Sequence, residues 1–251
     1  MKKVIFAILI SMAQLLFTTN IFAKTVTVYG LEAMPFCGTV DNQATGIAVE
    51  ILNEATKYGA PNFVFNFNIP WKRAQYTLEK ATPNDLVAII PFSRTEAREE
   101  KFKWVAELIK TQYRLYSYGR ISPIKSIDEI KDKKVGVVFG HAIIPVLEKL
   151  GLEKIDSGAE SADKNITKLI HKRFDTIADS DIICLYTWKK FGKDKNDLQV
   201  GPAIDDPTSV CIATGLNFPD DTAKNISDAV DLMRKNGSLQ KIFDKWFSKN
   251  K

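Results

Sequence analysis

Residues 86–90, LVAII, form a short apolar run that is bounded by the polar residues Asn84 and Asp85 and by Pro91. A run of this length with such boundaries is typical of a strand that is buried on both faces. Strands of that kind occur in parallel sheets that helices cover on both sides. The run therefore favours an α/β architecture with this strand near the centre of a sheet.

The segments around this run alternate between strand and helix patterns. Residues 25–30 and 63–69 alternate apolar and polar side chains, as strands do. Residues 46–58 carry apolar side chains at helical spacing, and a short helix is predicted over 72–80. The order β-α-β-α-β indicates a mostly parallel sheet with covering helices.

A second α/β unit begins after Gly119. Residues 134–139 form an apolar strand pattern, and a helix pattern follows over 141–150. Further helix and strand patterns continue to residue 204. Because the β-α order restarts, the sequence predicts two lobes.

Residues 1–23 have the layout of a secretory signal peptide, with Lys2 and Lys3 first, a mostly apolar centre and a plausible cleavage site at Ala23. A membrane anchor is the alternative, but the apolar stretch is shorter than the roughly 20 residues that a span requires. We expect a soluble, exported, periplasmic protein that begins near Lys24.

Charge and cysteine usage argue against several functions. Removal of Lys2 and Lys3 would lower the net charge from +5 to +3, without a basic block, so nucleic-acid binding is not indicated. Three cysteines, Cys37, Cys184 and Cys211, leave at least one thiol unpaired. The chain has no CxxC motif, and its two histidines are far apart. We predict no metal, redox centre or cofactor.

Polar side chains follow directly after the central strand. Ser93, Thr95 and Arg98 lie just past residues 86–90, and ligands of open parallel sheets bind beyond the carboxyl ends of strands. The planar guanidinium of Arg98 matches a carboxylate. The alternative is one solvated helical face that contains Arg94, Glu96, Arg98, Glu99 and Glu100.

Seven motifs, in the right order, resemble the type II periplasmic solute-binding proteins of amino-acid ABC transporters, bacterial extracellular solute-binding protein family 3. They are GLEAMPF, GIAVEILNEA, IPWKRAQ, SRTEAREEKFKW, KKVGVVFG, FDTIAD and MRKNGSLQKIFDKWF. IPWKRAQ resembles the PW-x-RA signature of one branch of that family. The resemblance covers the whole chain beyond the predicted signal peptide.

This resemblance implies two lobes that close on a ligand by hinge motion. Lobe 1 would comprise residues 24–114 plus 209–251 and lobe 2 residues 119–204, with hinges near 115–118 and 205–208. It also implies a monomer that delivers its ligand to an ABC permease in the inner membrane.

The resemblance also implies roles for single residues. Arg98 matches the arginine that clamps the ligand carboxylate, and Ser93 matches a hydroxyl that assists it. Asp179 matches the aspartate that holds the α-ammonium group; a cap of the helix predicted after it is the other interpretation, and both roles can hold together. Trp71 would stack on the ligand side chain or pack between the lobes, and Phe36 is a candidate wall residue.

The sequence departs from the family at two places. Gly140, His141 and Ala142 stand where relatives carry hydroxyl residues, so backbone N–H groups at a helix start remain as anion donors. A protonated His141 would make binding depend on pH near its ordinary pKa of about 6.5, unless it lies at the solvent-exposed rim. Pro91 has no N–H to donate. The expected ligand is therefore an amino acid, a derivative or another small carboxylate.

Three functions remain open at this stage. The first is a receptor that serves a transporter, the second is a sensor or orphan binding protein, and the third is a dehydratase-like enzyme on the same fold. The enzyme needs a positioned general acid, and scattered residues such as Glu32, His141 and Asp179 do not form a recognisable catalytic set. We expect a binding protein, with Cys184 and Cys211 on different lobes and unpaired.

Overall fold

The structure is a computed structural model that describes residues 24–119 and 122–248. The predicted signal peptide lies outside these residues. Within the described ranges, no helix combines the length and the apolar character that crossing a membrane requires.

The described chain alternates strands with helices. The strands are β1 (Thr25–Tyr29), β2 (Gly38–Val40), β3 (Gln43–Thr45), β4 (Asn62–Asn66), β5 (Val87–Ser93), β6 (Lys103–Thr111), β7 (Tyr113–Tyr118), β8 (Val135–Val138), β9 (Ile155–Ala159), β10 (Thr176–Ser180), β11 (Leu198–Ala203) and β12 (Thr208–Thr214). The helices are α1 (Ile47–Ala55), α2 (Trp71–Lys80), α3 (Ile144–Lys149), α4 (Ala162–Ile170), α5 (Asp181–Lys190), α6 (Asp220–Lys235) and α7 (Ser238–Ser248). Short 3₁₀ helices span Thr56–Tyr58, Glu96–Arg98, Ile127–Ile130 and Lys195–Asp197.

The first sheet has the strand order β4-β1-β5-β12-β6. The apolar run that was predicted to be a buried strand lies at its centre in β5, where Ala88, Ile89 and Ile90 are fully buried. Helices α1 and α6 cover one face of this sheet, and α2 covers the other. The central position of β5 brings the residues that follow it to the carboxyl edge of the sheet.

The second sheet has the order β11-β7-β10-β8-β9. Helix α3 packs on one face through Leu147, and helices α4 and α5 pack on the other face through Ile166, Leu169 and Trp188. Burial of apolar side chains on both faces gives this lobe a core of its own.

The predicted two-lobe α/β fold is confirmed, but its sheets are mixed instead of mostly parallel. Strand β1 runs parallel to β4 and β5, whereas β12 runs antiparallel to β5 and β6. In the second sheet, β7 is antiparallel to β10 and β11. Both β7 and β12 enter their sheet directly from the other lobe. Without a helical crossover between neighbours, a strand is not constrained to run parallel.

The first crossing between the sheets lies earlier than predicted. Strand β6 ends at Thr111 and β7 begins at Tyr113, so Gln112 alone connects the two sheets. The predicted hinge at 115–118 is wrong, because those residues lie within β7 and Leu115 is fully buried in the core of the second lobe. Residues 113–114, predicted in lobe 1, also belong to the second sheet. The chain returns between β11 and β12, through residues 204–207.

The three cysteines are buried and unpaired. Cys37 and Cys211 lie in the first lobe, whereas Cys184 lies on α5 in the second. The predicted absence of a bond between Cys184 and Cys211 therefore agrees with the structure.

Gly215 permits a close approach that positions helix α2. A Cβ atom at this residue would lie 2.2 Å from the backbone carbonyl oxygen of Leu78, near the end of α2. Backbone atoms on both sides leave little freedom to relax, so only glycine fits where β12 passes this helix. The contact fixes α2 against the first sheet, and with it Trp71 at the start of the helix.

We expect Gly215→Ala to lower the free energy of unfolding by about 2–3 kcal/mol, through overpacking. Urea denaturation followed by circular dichroism measures the change. Gly192→Ala is the control, because Gly192 has a φ of 65° and a Cβ atom at this residue would meet no other atom within 4 Å. The Gly192→Ala variant should lose only about 1 kcal/mol of its free energy of unfolding, from backbone strain. An equal or smaller loss for Gly215→Ala would contradict the account.

Candidate ligand-binding site

A narrow cavity of about 50 Å³ lies between the two lobes, at the edge where β5 ends. The first lobe contributes Leu31, Ala33, Phe36, Trp71, Pro91, Ser93, Arg98, Thr111 and Val210 to its lining. The second lobe contributes Tyr113, His141, Ala142, Ser180 and Ile183. This volume is well below the range of roughly 300–1,000 Å³ that is typical of ligand pockets. The cleft must therefore widen before it can hold a ligand.

Arg98 is a largely buried cation in this cavity. Its Nη1 donates to the carbonyl oxygen of Ser93 at 2.9 Å, and its guanidinium carbon lies 4.0 Å from the centre of the Phe92 ring. Burial lowers the pKa of Arg98 to about 10, and the guanidinium stays charged at neutral pH. Within the described ranges, no carboxylate lies within 4.0 Å of it. The guanidinium is thus held in place, and none of the described carboxylates is its counter-ion.

The neighbouring Arg94 has a different environment. It is exposed, and its Nε and Nη2 donate to the two carboxylate oxygens of Glu99, each at 2.9 Å. The 3₁₀ turn Glu96–Arg98 separates the two arginines, so that Arg94 faces solvent and Arg98 faces the cavity. The alternative of one solvated helical face therefore describes Arg94 and Glu99 but not Arg98.

The hydroxyl groups of the lining bond to one another across the two lobes. Ser93 Oγ lies 2.7 Å from Tyr113 Oη. Thr111 Oγ1 lies 2.6 Å from Ser180 Oγ and donates to Asp181 Oδ1 at 2.7 Å. These bonds connect the carboxyl ends of β5 and β6 to the second sheet and hold the lobes together.

His141 is neutral in this environment. Burial lowers the pKa of His141 to about 4, and the positive charge of Arg98 contributes to this shift. Its Nδ1 accepts a hydrogen bond from the backbone N–H of Ile143 at 3.2 Å, which leaves the proton on Nε2. The ring meets Tyr113 edge-on at 5.1 Å. The predicted titration near pH 6.5 is therefore wrong, because that value is typical of a solvated imidazole.

The backbone N–H of His141 is not available to the anion site that was predicted at residues 140–142. Helix α3 begins only at Ile144, and the N–H of His141 donates to the carbonyl oxygen of Val138 at 3.1 Å. Gly140 is absent from the lining and lies against Lys72 of the first lobe, whose Cε would be 2.9 Å from a Cβ there.

Asp179 lies behind the cavity wall instead of in it. Successive side chains of β10 point to opposite faces, and Ser180 takes the cavity face. The Asp179 side chain is 2 % exposed; its Oδ1 accepts from the N–H of Ser180, and no described residue bonds to its Oδ2. Burial raises the pKa of Asp179 to about 7. Ser180 caps helix α5, so the predicted capping role of Asp179 is wrong.

Aromatic side chains form two parts of the wall. Trp71 is the first residue of α2, and its ring meets Phe92 edge-on at 5.8 Å, within a cluster of the first lobe. Phe36 is 1 % exposed and packs with Ala162 and Ile183 of the second lobe. Phe36 thus closes the gap between the lobes, whereas the contacts of Trp71 do not support its predicted alternative of inter-lobe packing.

The structure brings together five of the seven predicted residues. Arg98, Ser93, Trp71, Phe36 and His141 line the same cavity, and Asp179 and Gly140 do not.

Sequence reasoning missed Tyr113, Thr111 and Ser180. Tyr113 and Thr111 flank Gln112, so a correct placement of the crossing would have put both at the cleft. Ser180 is adjacent to the predicted Asp179, and only the strand alternation distinguishes the two.

No family model matches the chain. A curated relative, the probable amino-acid-binding protein YxeM of Bacillus subtilis, is 21% identical over 229 residues, which are 87% of this chain and 82% of that protein. Two solved structures have the same fold. One is the arginine-, lysine-, histidine-binding protein ArtJ of Geobacillus stearothermophilus, with a TM-score of 0.76 and 20% identity over 90% of this chain and 96% of that chain. The other is a histidine kinase sensor domain with similarity to periplasmic binding proteins, with a TM-score of 0.78 and 13% identity over 89% of this chain and 96% of that chain.

These likenesses define the class of the protein. The chain has the two-lobe fold of the periplasmic binding proteins. The resemblance to amino-acid solute-binding proteins that the sequence motifs predicted is confirmed.

We expect His141→Gln to flatten the dependence of stability on pH. Between about pH 6.5 and about pH 4 the unfolded chain binds a proton on this histidine and the folded chain does not, so the stability of the wild type falls as pH is lowered. Over this pH window, the free energy of unfolding of the variant should fall by about 1–2 kcal/mol less than that of the wild type. Urea denaturation of the ligand-free protein at both ends of the window measures it. His171→Gln, at an exposed residue, should behave like the wild type; the same behaviour for His141→Gln would contradict the neutral histidine.

Proposed function

We propose that the protein is a periplasmic solute-binding receptor that captures a small carboxylate, an amino acid or a derivative, between its lobes and delivers it to an ABC transporter. The observation that carries the proposal is the largely buried guanidinium of Arg98, which lines an inter-lobe cavity and has no counter-ion among the described residues. A buried charge without a partner is costly, and a ligand carboxylate would supply that partner. The names of YxeM and ArtJ, an amino-acid-binding and an arginine-, lysine-, histidine-binding protein, support the ligand class.

Residues on both sides of the cavity support capture by closure. In this role Arg98 and Ser93 hold the carboxylate from the first lobe, and the neutral His141 donates from the second. Trp71 and Phe36 enclose the rest of the ligand. Because these groups come from different lobes, the site is complete only when the lobes meet, as expected for a receptor that closes by hinge motion.

Asp179 is the proposed partner of a ligand ammonium group. Its Oδ2 has an unused acceptor site within the described structure, and its charge contributes to the raised pKa of Tyr113, whose ring lines the cavity. The carboxylate is thus close to the wall, although it does not line it. A zwitterionic ligand would stabilise its charged form.

A sensor is the second candidate function. The histidine kinase sensor domain has the same fold, and a sensor requires the same closure around a ligand. The two functions differ in the protein that recognises the closed form. Uptake of a labelled ligand that depends on this protein and a permease would establish the transporter role; a ligand-dependent signal without uptake would establish the sensor. Export through the predicted signal peptide, with cleavage near Ala23, and a monomeric state belong to the same proposal.

We expect Arg98→Gln to weaken ligand binding by about 100-fold, because it removes the charged partner of a buried carboxylate. A thermal-shift screen of residues 24–251 with the common amino acids and small carboxylates first identifies a ligand. Isothermal titration calorimetry then compares the variants. Arg94→Gln is the matched control, since Arg94 is exposed and already paired with Glu99. Equal affinities of the two variants would contradict the clamp.

We expect the affinity for a zwitterionic amino acid to rise about tenfold from about pH 6 to about pH 8. The pKa of Asp179 in the free protein is about 7, and pairing with an ammonium group requires the charged carboxylate. Calorimetry at both pH values measures the change, which should vanish in Asp179→Asn. A carboxylate without an amino group should show no such rise. A rise that persists in Asp179→Asn would exclude Asp179 as the ammonium partner.

A further inference from the structure

The described residues that line the cavity carry charge of one sign only, which is positive. Arg98 is the sole ionised side chain at neutral pH among the described residues that line it, because His141 is neutral and no aspartate or glutamate is present in the lining. The charge carried by the described lining residues at neutral pH is therefore positive.

The acidic groups nearest to the cavity are engaged elsewhere. Asp181 accepts from Thr111 Oγ1 and from the backbone N–H groups of Gln112 and Ile182. Glu32 is exposed and accepts from the N–H of Thr39. Asp179 lies behind the wall, where its proposed partner is the α-ammonium group. None of these three residues lines the cavity.

The remaining polar groups of the lining act as donors or are already bonded. The Arg98 guanidinium uses one N–H for the carbonyl of Ser93, and His141 presents Nε2–H. The hydroxyls of Ser93 and Tyr113 bond to each other, as do those of Thr111 and Ser180. The rest of the surface is apolar, with Phe36, Ile183 and Val210 packed together across the lobes.

We propose that this site selects carboxylate ligands whose side chain is apolar and uncharged, and that it rejects basic amino acids. This inference rests on the proposed receptor function. A side-chain cation would be desolvated without a carboxylate partner and would be repelled by Arg98. An aliphatic side chain would instead be buried against Phe36, Ile183 and Val210. The specificity would thus differ from that of ArtJ, which is named for binding arginine, lysine and histidine.

Two matched pairs of ligands test the inference. L-Norleucine and L-lysine differ at the end of the side chain, where lysine carries an ammonium group. Hexanoate and 6-aminohexanoate differ in the same way but lack the α-amino group. We expect calorimetry with residues 24–251 to show that the uncharged member of the pair binds about 100-fold more tightly.

The outcomes distinguish this inference from the proposed function. Binding of lysine or 6-aminohexanoate as tightly as its uncharged partner overturns the selectivity and leaves the receptor function in place. Absence of binding by all four compounds, while the thermal-shift screen finds another ligand, also overturns the selectivity alone. Failure of every amino acid and carboxylate in that screen overturns the proposed function, and this inference with it.

A charge added to the wall provides a second test. Ala142 lines the cavity and is only half-buried, so a slightly larger side chain fits there without disturbing the core. Ala142→Asp should raise the affinity for lysine relative to norleucine by about tenfold, because it supplies the missing carboxylate. Ala142→Asn, of equal size and no charge, should leave the ratio unchanged. The same ratio in both variants would contradict the inference; if Ala142→Asp does not fold, the wild-type ratio decides.

Discussion

The rest of the site depends on the burial of one guanidinium that has no counter-ion in the described part of the chain. Arg98 is fixed from below by the ring of Phe92 and from the side by the carbonyl oxygen of Ser93. Both supports come from β5, the central strand of the first sheet, which cannot move without disrupting the core. The protein thus holds a desolvated positive charge on a rigid element, and an anion that enters the cleft recovers part of the lost solvation.

The described side chains of the second lobe that line the cavity do not neutralise the charge of Arg98. His141 stays neutral beside Arg98, and Tyr113 bonds to Ser93 instead of presenting a free hydroxyl. Asp179 does not line the cavity. If it did, its carboxylate would neutralise the Arg98 guanidinium in the absence of a ligand. Each of these arrangements leaves the positive charge of Arg98 available to an anion that enters the cleft between the two lobes.

Much of the fold was predictable, because it follows from local patterns. The apolar run of β5 and the restart of the β-α order after Gly119 indicated two α/β lobes, and the motif around Arg98 indicated its position beyond a strand. The crossing at Gln112 was not predictable, since one polar residue between two strands gives no turn signal. The face taken by Asp179 depends on the phase of β10, and the pKa of His141 depends on burial against the other lobe. The residues next to Asp179 and His141 in the sequence predict neither that face nor that pKa.

The burial of all three thiols has a practical consequence. Cys37, Cys184 and Cys211 are each enclosed in the core of a lobe, and burial raises the pKa of each, so the native thiols react slowly with alkylating reagents. A single cysteine placed at the rim of the cleft would therefore be labelled selectively by a fluorescent dye. If the lobes close on a ligand as proposed, such a labelled chain would serve as a reagentless optical biosensor.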